Sequence, residues 1–355
     1  MPAVSRSIER PLAVRFGAFG DMVLLTALIR MLYAEFGRQV DILTSGPWSE
    51  PLLSGQPGVG EIFTVRSRKT PYWMSPDQQR VVRRLRARGL GPTWFCDGND
   101  AGRLILARAG IPSDYIVAAM DHGLLPGEHA TEQWRRLAQV MPRAKIYSPA
   151  ADASGEAPGC YLEVKPAQRL ELDAWLGRRG LAGQPLILVQ IGNKRTMRRG
   201  LRRLSTNHKH WPLERWAEVL RYLRAHHPHS AIVLLGTGPE FELNRELAAL
   251  ANIAGLHNAA DDMPIPRLLA LLERAAGLIT VDSGPAHAAA AVGCPQVVLF
   301  GKAPTWLYRP WGTAGADVRV VSGQIDGEPN MLGIEPRSVI AAWTDLKLRS
   351  NPQES

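Results

Sequence analysis

The sequence predicts an α/β protein built as two doubly wound, parallel-sheet domains, and three observations predict it. Short apolar runs alternate with longer segments of helical period along most of the chain. The 355 residues exceed one ordinary core and suit two. A stretch rich in Ala, Ser, Gly and Pro at 148–159 interrupts the series near its middle.

In the first half, residues 12–16 form an apolar run closed by Gly17 and read as a strand. A helix is predicted over 21–36. Strands are predicted at 40–43, 62–65, 93–96 and 115–118, with helices at 78–88 and 101–109. Strand–helix–strand order implies parallel pairing, with helices on the sheet faces. The second half repeats the pattern. A helix at 167–179 leads to a strand at 186–191 and, after Pro212, a helix at 213–226. Strands at 231–235, 277–281 and 296–300 follow, with helices at 239–250, 266–275, 285–292 and 336–346. The domains are drawn at 1–160 and 161–335, with a closing helix and tail at 336–355. Open parallel sheets bind ligands outside the carboxyl ends of their strands, so two of them are expected to face a central cleft.

Hydrophobic residues make up 45% and charged residues 21%, a globular composition. The longest apolar runs, 22–29 and 286–293, fall far short of the ~20 residues that cross a bilayer. Arg6, Glu9 and Arg10 interrupt the N-terminus, which lacks the apolar core of a secretory signal. Cys96, Cys160 and Cys294 have no paired spacing, which suits a reducing, cytoplasmic compartment and argues against disulfides or zinc. His226, His227 and His229 lack partners at ligand spacing and read as the polar end of a helix. No metal site is expected. The net charge of +9 favours acidic partners: nucleic acid, an anionic membrane or a phosphorylated substrate.

Four motifs follow strands. In Arg15-Phe16-Gly17-Ala18-Phe19-Gly20-Asp21, Gly17 and Gly20 let backbone approach a ligand closely. Asp21 at the helix start suits a base that takes a proton from a substrate hydroxyl, and equally suits a helix cap. In Val281-Asp282-Ser283-Gly284-Pro285-Ala286-His287, a strand ends in a glycine turn before a helix of small residues. The backbone N–H groups there suit a pyrophosphate, with Asp282 holding ribose hydroxyls or the loop and His287 reaching a phosphate oxygen. Gly236-Thr237-Gly238-Pro239-Glu240-Phe241-Glu242 offers a carboxylate for a ribose or base, or simply an acidic first turn. Between Lys194 and His210 stand several cations and no acid. Lys209, just before Trp211-Pro212, is the one suited to balance a departing diphosphate. The others read as a solvated basic loop.

Together, R-F-G-A-F-G-D, K-H-W-P, G-x-G-P-E and the D-S-G-P-A-H block resemble glycosyltransferase family 9, the ADP-heptose:lipopolysaccharide heptosyltransferases. The likeness runs in order along nearly the whole chain and includes the closing Ile334, Pro336 and Val339. It implies a GT-B fold of two Rossmann-like domains, acceptor on the first and sugar nucleotide on the second. It also implies inverting transfer without an essential metal or other cofactor. Residue by residue, it implies Asp21 as base beside the acceptor-side glycines Gly17 and Gly20, and Lys209 on the diphosphate. It implies Glu242, ahead of Glu240, on the ribose and Met263 against the adenine. Asp282, Ser283, Gly284 and His287 fall on the diphosphate, and Asn193 on the donor side. The donor would be ADP-heptose and the acceptor an anionic glycolipid or glycan. A peripheral contact with the inner face of the inner membrane would account for the positive charge.

Rival readings keep part of this. A transferase using another nucleotide sugar needs no other fold. A sugar-nucleotide epimerase of the same architecture needs more acid–base carboxylates and histidines than the one clear candidate, Asp21. A nucleic-acid-binding protein would explain the charge, but no compact binding motif is present and no aromatics interleave with the basic run.

Overall fold

A computed structural model describes residues 10–144, 159–193 and 207–349. The expected linker at 148–158 and the basic residues 194–206 lie outside the described residues. The described chain forms two compact units, one ending before Gly159 and one beginning there.

The first unit is a five-stranded parallel sheet of β1 (Leu12–Arg15), β2 (Val40–Ser45), β3 (Val59–Val65), β4 (Thr93–Phe95) and β5 (Ile116–Ala118). The strand order is β3-β2-β1-β4-β5. The central strand is apolar on both faces because helices cover both, and Leu12, Ala13 and Val14 are fully buried. Helix Phe19–Phe36 buries Met22, Leu25, Leu28 and Leu32 and ends at Gly37, whose φ of 59° is the left-handed value that glycine adopts freely. The chain moves from β1 outward to β3 and then crosses to β4 on the other side. The switch point therefore lies between β1 and β4.

The second unit repeats the plan with six parallel strands: β6 (Leu186–Gln190), β7 (Ala231–Leu234), β8 (Leu256–Asn258), β9 (Gly277–Val281), β10 (Gln296–Phe300) and β11 (Val318–Ser322). The order is β11-β10-β9-β6-β7-β8, so the switch point lies between β6 and β9. The closing helix Pro336–Thr344 belongs to this unit's core, where Val339 and Trp343 are buried.

Several elements differ from what the sequence predicts. Edge strands β8 and β11 were not expected. None of Leu256, His257 and Asn258 is fully buried, and Arg319 breaks β11, so neither shows the apolar run of a central strand. Helix Ala130–Ala138 buries only two large apolar side chains, Trp134 and Leu137, too few for a visible stripe. The first helix starts at Phe19, two residues before the expected Asp21.

Trp216 is fully buried and packs edge-on against Trp211, with centroids 4.9 Å apart and planes at 87°. Trp216→Ala is expected to lower the unfolding free energy by about 3–5 kcal/mol, read by urea denaturation. A loss under about 1 kcal/mol would show that the pair does not support this core.

Candidate functional site

In the first unit, polar chemistry gathers at the β1/β4 switch point. The helix Phe19–Phe36 has Ala18 as its N-cap, which has no side-chain acceptor. Asp21, two residues into the helix, supplies one: its Oδ2 accepts the Ala18 N–H at 2.7 Å. Its Oδ1 accepts from Arg15 Nη2 at 2.9 Å. Arg15 is itself held, donating from Nη1 to the Cys96 carbonyl at 2.5 Å and lying 5.7 Å above the Trp134 ring. Asp97, just past β4, accepts the Phe16 N–H at 2.9 Å and pins the loop from the other strand. Gly17 is dictated by closeness: a Cβ there would stand 2.3 Å from the Asp21 Cβ. Asp21 keeps about a third of its side chain exposed and retains lone pairs beyond these two bonds.

In the second unit, the β6/β9 switch point gathers a second set. Lys209 Nζ donates to Asp282 Oδ2 at 2.5 Å and to the Asp282 carbonyl at 3.0 Å. One of its three N–H donors is uncommitted among the described residues. Lys209 is placed by Trp211, fully buried two residues later, whose Nε1 donates to the Ile334 carbonyl at 3.0 Å. Asn207 ties the segment across the switch point: its Nδ2 donates to Asn193 Oδ1 at 3.3 Å, and its Oδ1 accepts the Lys209 N–H at 3.2 Å. Ser283 is the N-cap of helix Gly284–Ala291 but makes no side-chain capping bond. Among the described residues, the first N–H groups of that helix therefore receive no cap from the Ser283 side chain. His287 is buried one turn further in.

Glu240 is the most unusual carboxylate of this unit. It closes the turn Gly238–Glu240, which precedes helix Phe241–Ala251, where the sequence suggested one continuous helix. Its Oε2 accepts from Thr237 N and Oγ1, both at 2.9 Å. Among the described residues its buried Oε1 has no hydrogen-bond partner, and it lies against Gly192, where a Cβ would come within 1.8 Å of it. Burial pushes the Glu240 acid up to about 7, against the opposing Thr237 bonds. Glu242, by contrast, is more than half exposed and ion-paired to Arg245 one turn on. Of the two glutamates, Glu240 is the one turned toward the strand ends. Met263 is half-buried beside Asp262, whose Oδ2 accepts from Trp175 Nε1 at 2.8 Å and whose Oδ1 accepts from Arg267 Nη1 at 2.5 Å. The Arg267 guanidinium holds the Asp262 carboxyl below the usual carboxylate range.

The family profile described as glycosyltransferase family 9 (heptosyltransferase) matches residues 131–328, more than half the chain. The chain belongs to glycosyltransferase family 9. It is 27% identical over 337 residues to lipopolysaccharide heptosyltransferase 2 of Escherichia coli strain K12, covering 86% of each chain. Its fold matches the crystal structure of the glycosyl transferase family 9 from Veillonella parvula, with a TM-score of 0.74 and 18% identity over 95% of this chain and 96% of that one. It also matches the E. coli ADP-heptose lps heptosyltransferase II, with a TM-score of 0.69 and 20% identity over 94% and 97%. The fold is thus that of the GT-B heptosyltransferases, two parallel-sheet α/β domains.

As a family 9 glycosyltransferase the chain is an enzyme, and three residues that the motifs do not single out, Arg15, Asp97 and Asn207, stand near its strand ends. Arg15 and Asp97 fix the Asp21 loop. Arg15 was read only as part of a glycine motif, and Asp97 follows a strand of three residues. Asn207 was read as part of a basic loop, yet it is 6% exposed and joins Asn193 to Lys209. Burial pushes the Cys96 and Cys294 thiols up to about 12. Among the described residues, no three His, Cys, Asp or Glu form a metal-binding group, and no helix is long and apolar enough to cross a membrane.

Burial of the Glu240 carboxyl makes the protein's stability depend on pH. The folded state prefers the protonated acid, so its contribution is complete below its ordinary value of 4.5 and is lost as pH rises through about 7. Glu240→Gln, which cannot ionise, should therefore gain on the wild type by on the order of 2–3 kcal/mol across that window. Chemical denaturation at either end of the window measures this. An equal difference at both ends would mean that Glu240 ionises in the folded protein as it does in the unfolded chain.

Proposed function

We propose that this glycosyltransferase moves a heptose from ADP-heptose to a hydroxyl of a lipopolysaccharide core or related glycan. Transfer inverts the anomeric carbon and uses no essential metal. The observation that carries the reading is the Lys209 ammonium held at the helix end where Ser283 makes no cap. A cation beside free N–H donors is what a departing diphosphate requires.

In this reading the acceptor hydroxyl gives its proton to Asp21 as its oxygen attacks the anomeric carbon in line. The bond to the diphosphate breaks, and ADP leaves with the electron pair. Arg15 and the Ala18 N–H hold Asp21 in one orientation, with lone pairs left to take the proton. Lys209, the N–H groups of Ser283 and Gly284, and His287 balance the charge that develops on the diphosphate. Asn193 lines the donor side. The vacant Oε1 of Glu240 accepts a ribose hydroxyl, a role the sequence reading gave first to Glu242, and Met263 lies against the adenine. Direct displacement with a single base is what inverts the centre. The acceptor is an anionic glycolipid at the inner face of the inner membrane, which accounts for the +9 charge.

Asp21→Asn keeps an acceptor for the Ala18 N–H but cannot take a proton. It should lower kcat by about 10²–10⁴ while ADP binds as in the wild type. Retained turnover, or loss of ADP binding as well, would sink the assigned role.

A ribose hydroxyl on Oε1 favours the carboxylate over the acid. ADP binding near neutral pH should therefore release a proton, and Glu240→Gln should remove that release. Calorimetry in buffers of different ionisation enthalpy reads it directly. A release that persists in Glu240→Gln would place the titrating group elsewhere.

A further inference from the structure

Between β3 and helix Pro76–Arg88, the first unit presents two large apolar side chains to solvent. Trp73 is 77% exposed and Met74 56%, side by side on the turn Tyr72–Met74. Single exposed hydrophobes are ordinary, but this pair sits on a clamped backbone. Gln78, buried, donates from Nε2 to the carbonyls of Ser67 at 2.8 Å and Thr70 at 2.9 Å. Gln79 Nε2 donates to the carbonyls of Tyr72 at 3.0 Å and Trp73 at 3.2 Å. Asp77 Oδ2 accepts the Arg66 N–H at 2.6 Å. The backbone is fixed by five side-chain bonds, and what it holds outward is Trp and Met.

Cations accompany the pair. Arg66, Lys69, Arg80 and Arg83 are exposed, and none has a carboxylate at ion-pair distance among the described residues. Asp77 is the one acid between residues 66 and 83, and its Oδ2 is engaged by backbone. Further along the same helix, Arg84 and Arg88 are neutralised by Glu61 and Asp41. Arg66, Lys69, Arg80 and Arg83 thus leave positive charge unneutralised on the segments that flank the exposed pair. The turn follows β3 as the Asp21 loop follows β1, so both lie at the same edge of one parallel sheet. Arg68 links them, its guanidinium 5.1 Å above the Phe16 ring.

We infer that this turn docks the enzyme on an anionic phospholipid bilayer. Trp73 and Met74 enter the interfacial layer, and Arg66, Lys69, Arg80 and Arg83 meet lipid phosphates. The indole suits that layer because one edge is polar and the ring is apolar. Clustered Lys and Arg are drawn to an anionic leaflet within a Debye length. A nucleic acid offers the same charge but no apolar layer for the Trp–Met pair. The inference deepens the reading of the acceptor as a membrane glycolipid and rests on it. Docking at this edge would bring Asp21 to the surface where such an acceptor is anchored.

The test is co-sedimentation of the full chain with vesicles of phosphatidylcholine alone or with added phosphatidylglycerol. The wild type should bind the anionic vesicles, not the neutral ones, and be released by salt. Trp73→Ser/Met74→Ser and Lys69→Glu/Arg80→Glu should each weaken binding by about tenfold or more. Both should unfold at the wild-type temperature, since the four side chains are exposed. Transfer to a lipid-free soluble acceptor should be unchanged in Trp73→Ser/Met74→Ser. The inference is overturned if the wild type ignores anionic vesicles or binds neutral ones equally. Undiminished vesicle binding by the variants overturns it too, as does duplex DNA binding that the Trp73/Met74 change reduces equally. Failure of the transferase reading would show separately, as absence of heptosyl transfer by the wild type to the soluble acceptor.

Discussion

Parallel pairing commits each sheet to helices on both faces, and that constraint determines where chemistry can occur in this protein. With both faces covered, the strands become nearly continuous apolar runs, as in Leu12–Val14 and Ile187–Val189. Polar side chains are admitted at the strand ends, where backbone already reaches water. At a switch point, two neighbouring strands send their chains in opposite directions, and the loops part to leave room for a ligand. Asp21 with Asp97 in the first unit, and Asn193 with Asp282 in the second, each stand on the two loops that flank such a point.

The two switch points are equipped differently. In the first, the arginine orients a carboxylate that stays partly exposed. In the second, Asp282 is almost fully buried and needs its partner. Lys209, with about a quarter of its side chain exposed, supplies that partner. Glu240 carries the opposite burden. It is buried without a cation, keeps its proton more readily than other glutamates, and holds an acceptor atom in reserve. A buried polar atom with no partner is a cost that the fold bears at a place where a ligand would relieve it.

Much of this was legible from residue order. Central strands such as 277–281 and 296–300 announce themselves by apolar runs, and the helix after Pro212 by its proline. The edge strands β8 and β11 were not legible, because an edge is half-solvated and tolerates His257 or Arg319. Among the site groups, Asp21 and Lys209 stood in recognisable spacing. Arg15, Asp97 and Asn207 did not, because each acts on a partner far away in sequence: Arg15 on the Cys96 carbonyl, Asp97 on Phe16, Asn207 on Asn193. The choice between Glu240 and Glu242 also turned on three dimensions. Spacing placed both after the glycine loop, but only the turn before helix Phe241–Ala251 rotates Glu240 inward.

Two glycines set how closely these carboxylates can seat. Gly17 and Gly192 each follow or adjoin the end of a strand, and neither needs a left-handed backbone. What each provides is the missing Cβ. At Gly17 the space is filled by Asp21 and at Gly192 by Glu240, both closer than any real Cβ would allow. The carboxylates are therefore seated against bare backbone, and their positions are set by van der Waals contact as well as by hydrogen bonds. Hydrogen bonds alone leave a side chain some freedom to swing, whereas a contact of this kind removes it on one side. In the proposed reading these carboxylates are a base and a ribose acceptor, groups that must be held to within a fraction of an ångström. Both units seat them by the same device, a glycine placed where the carboxylate has to rest.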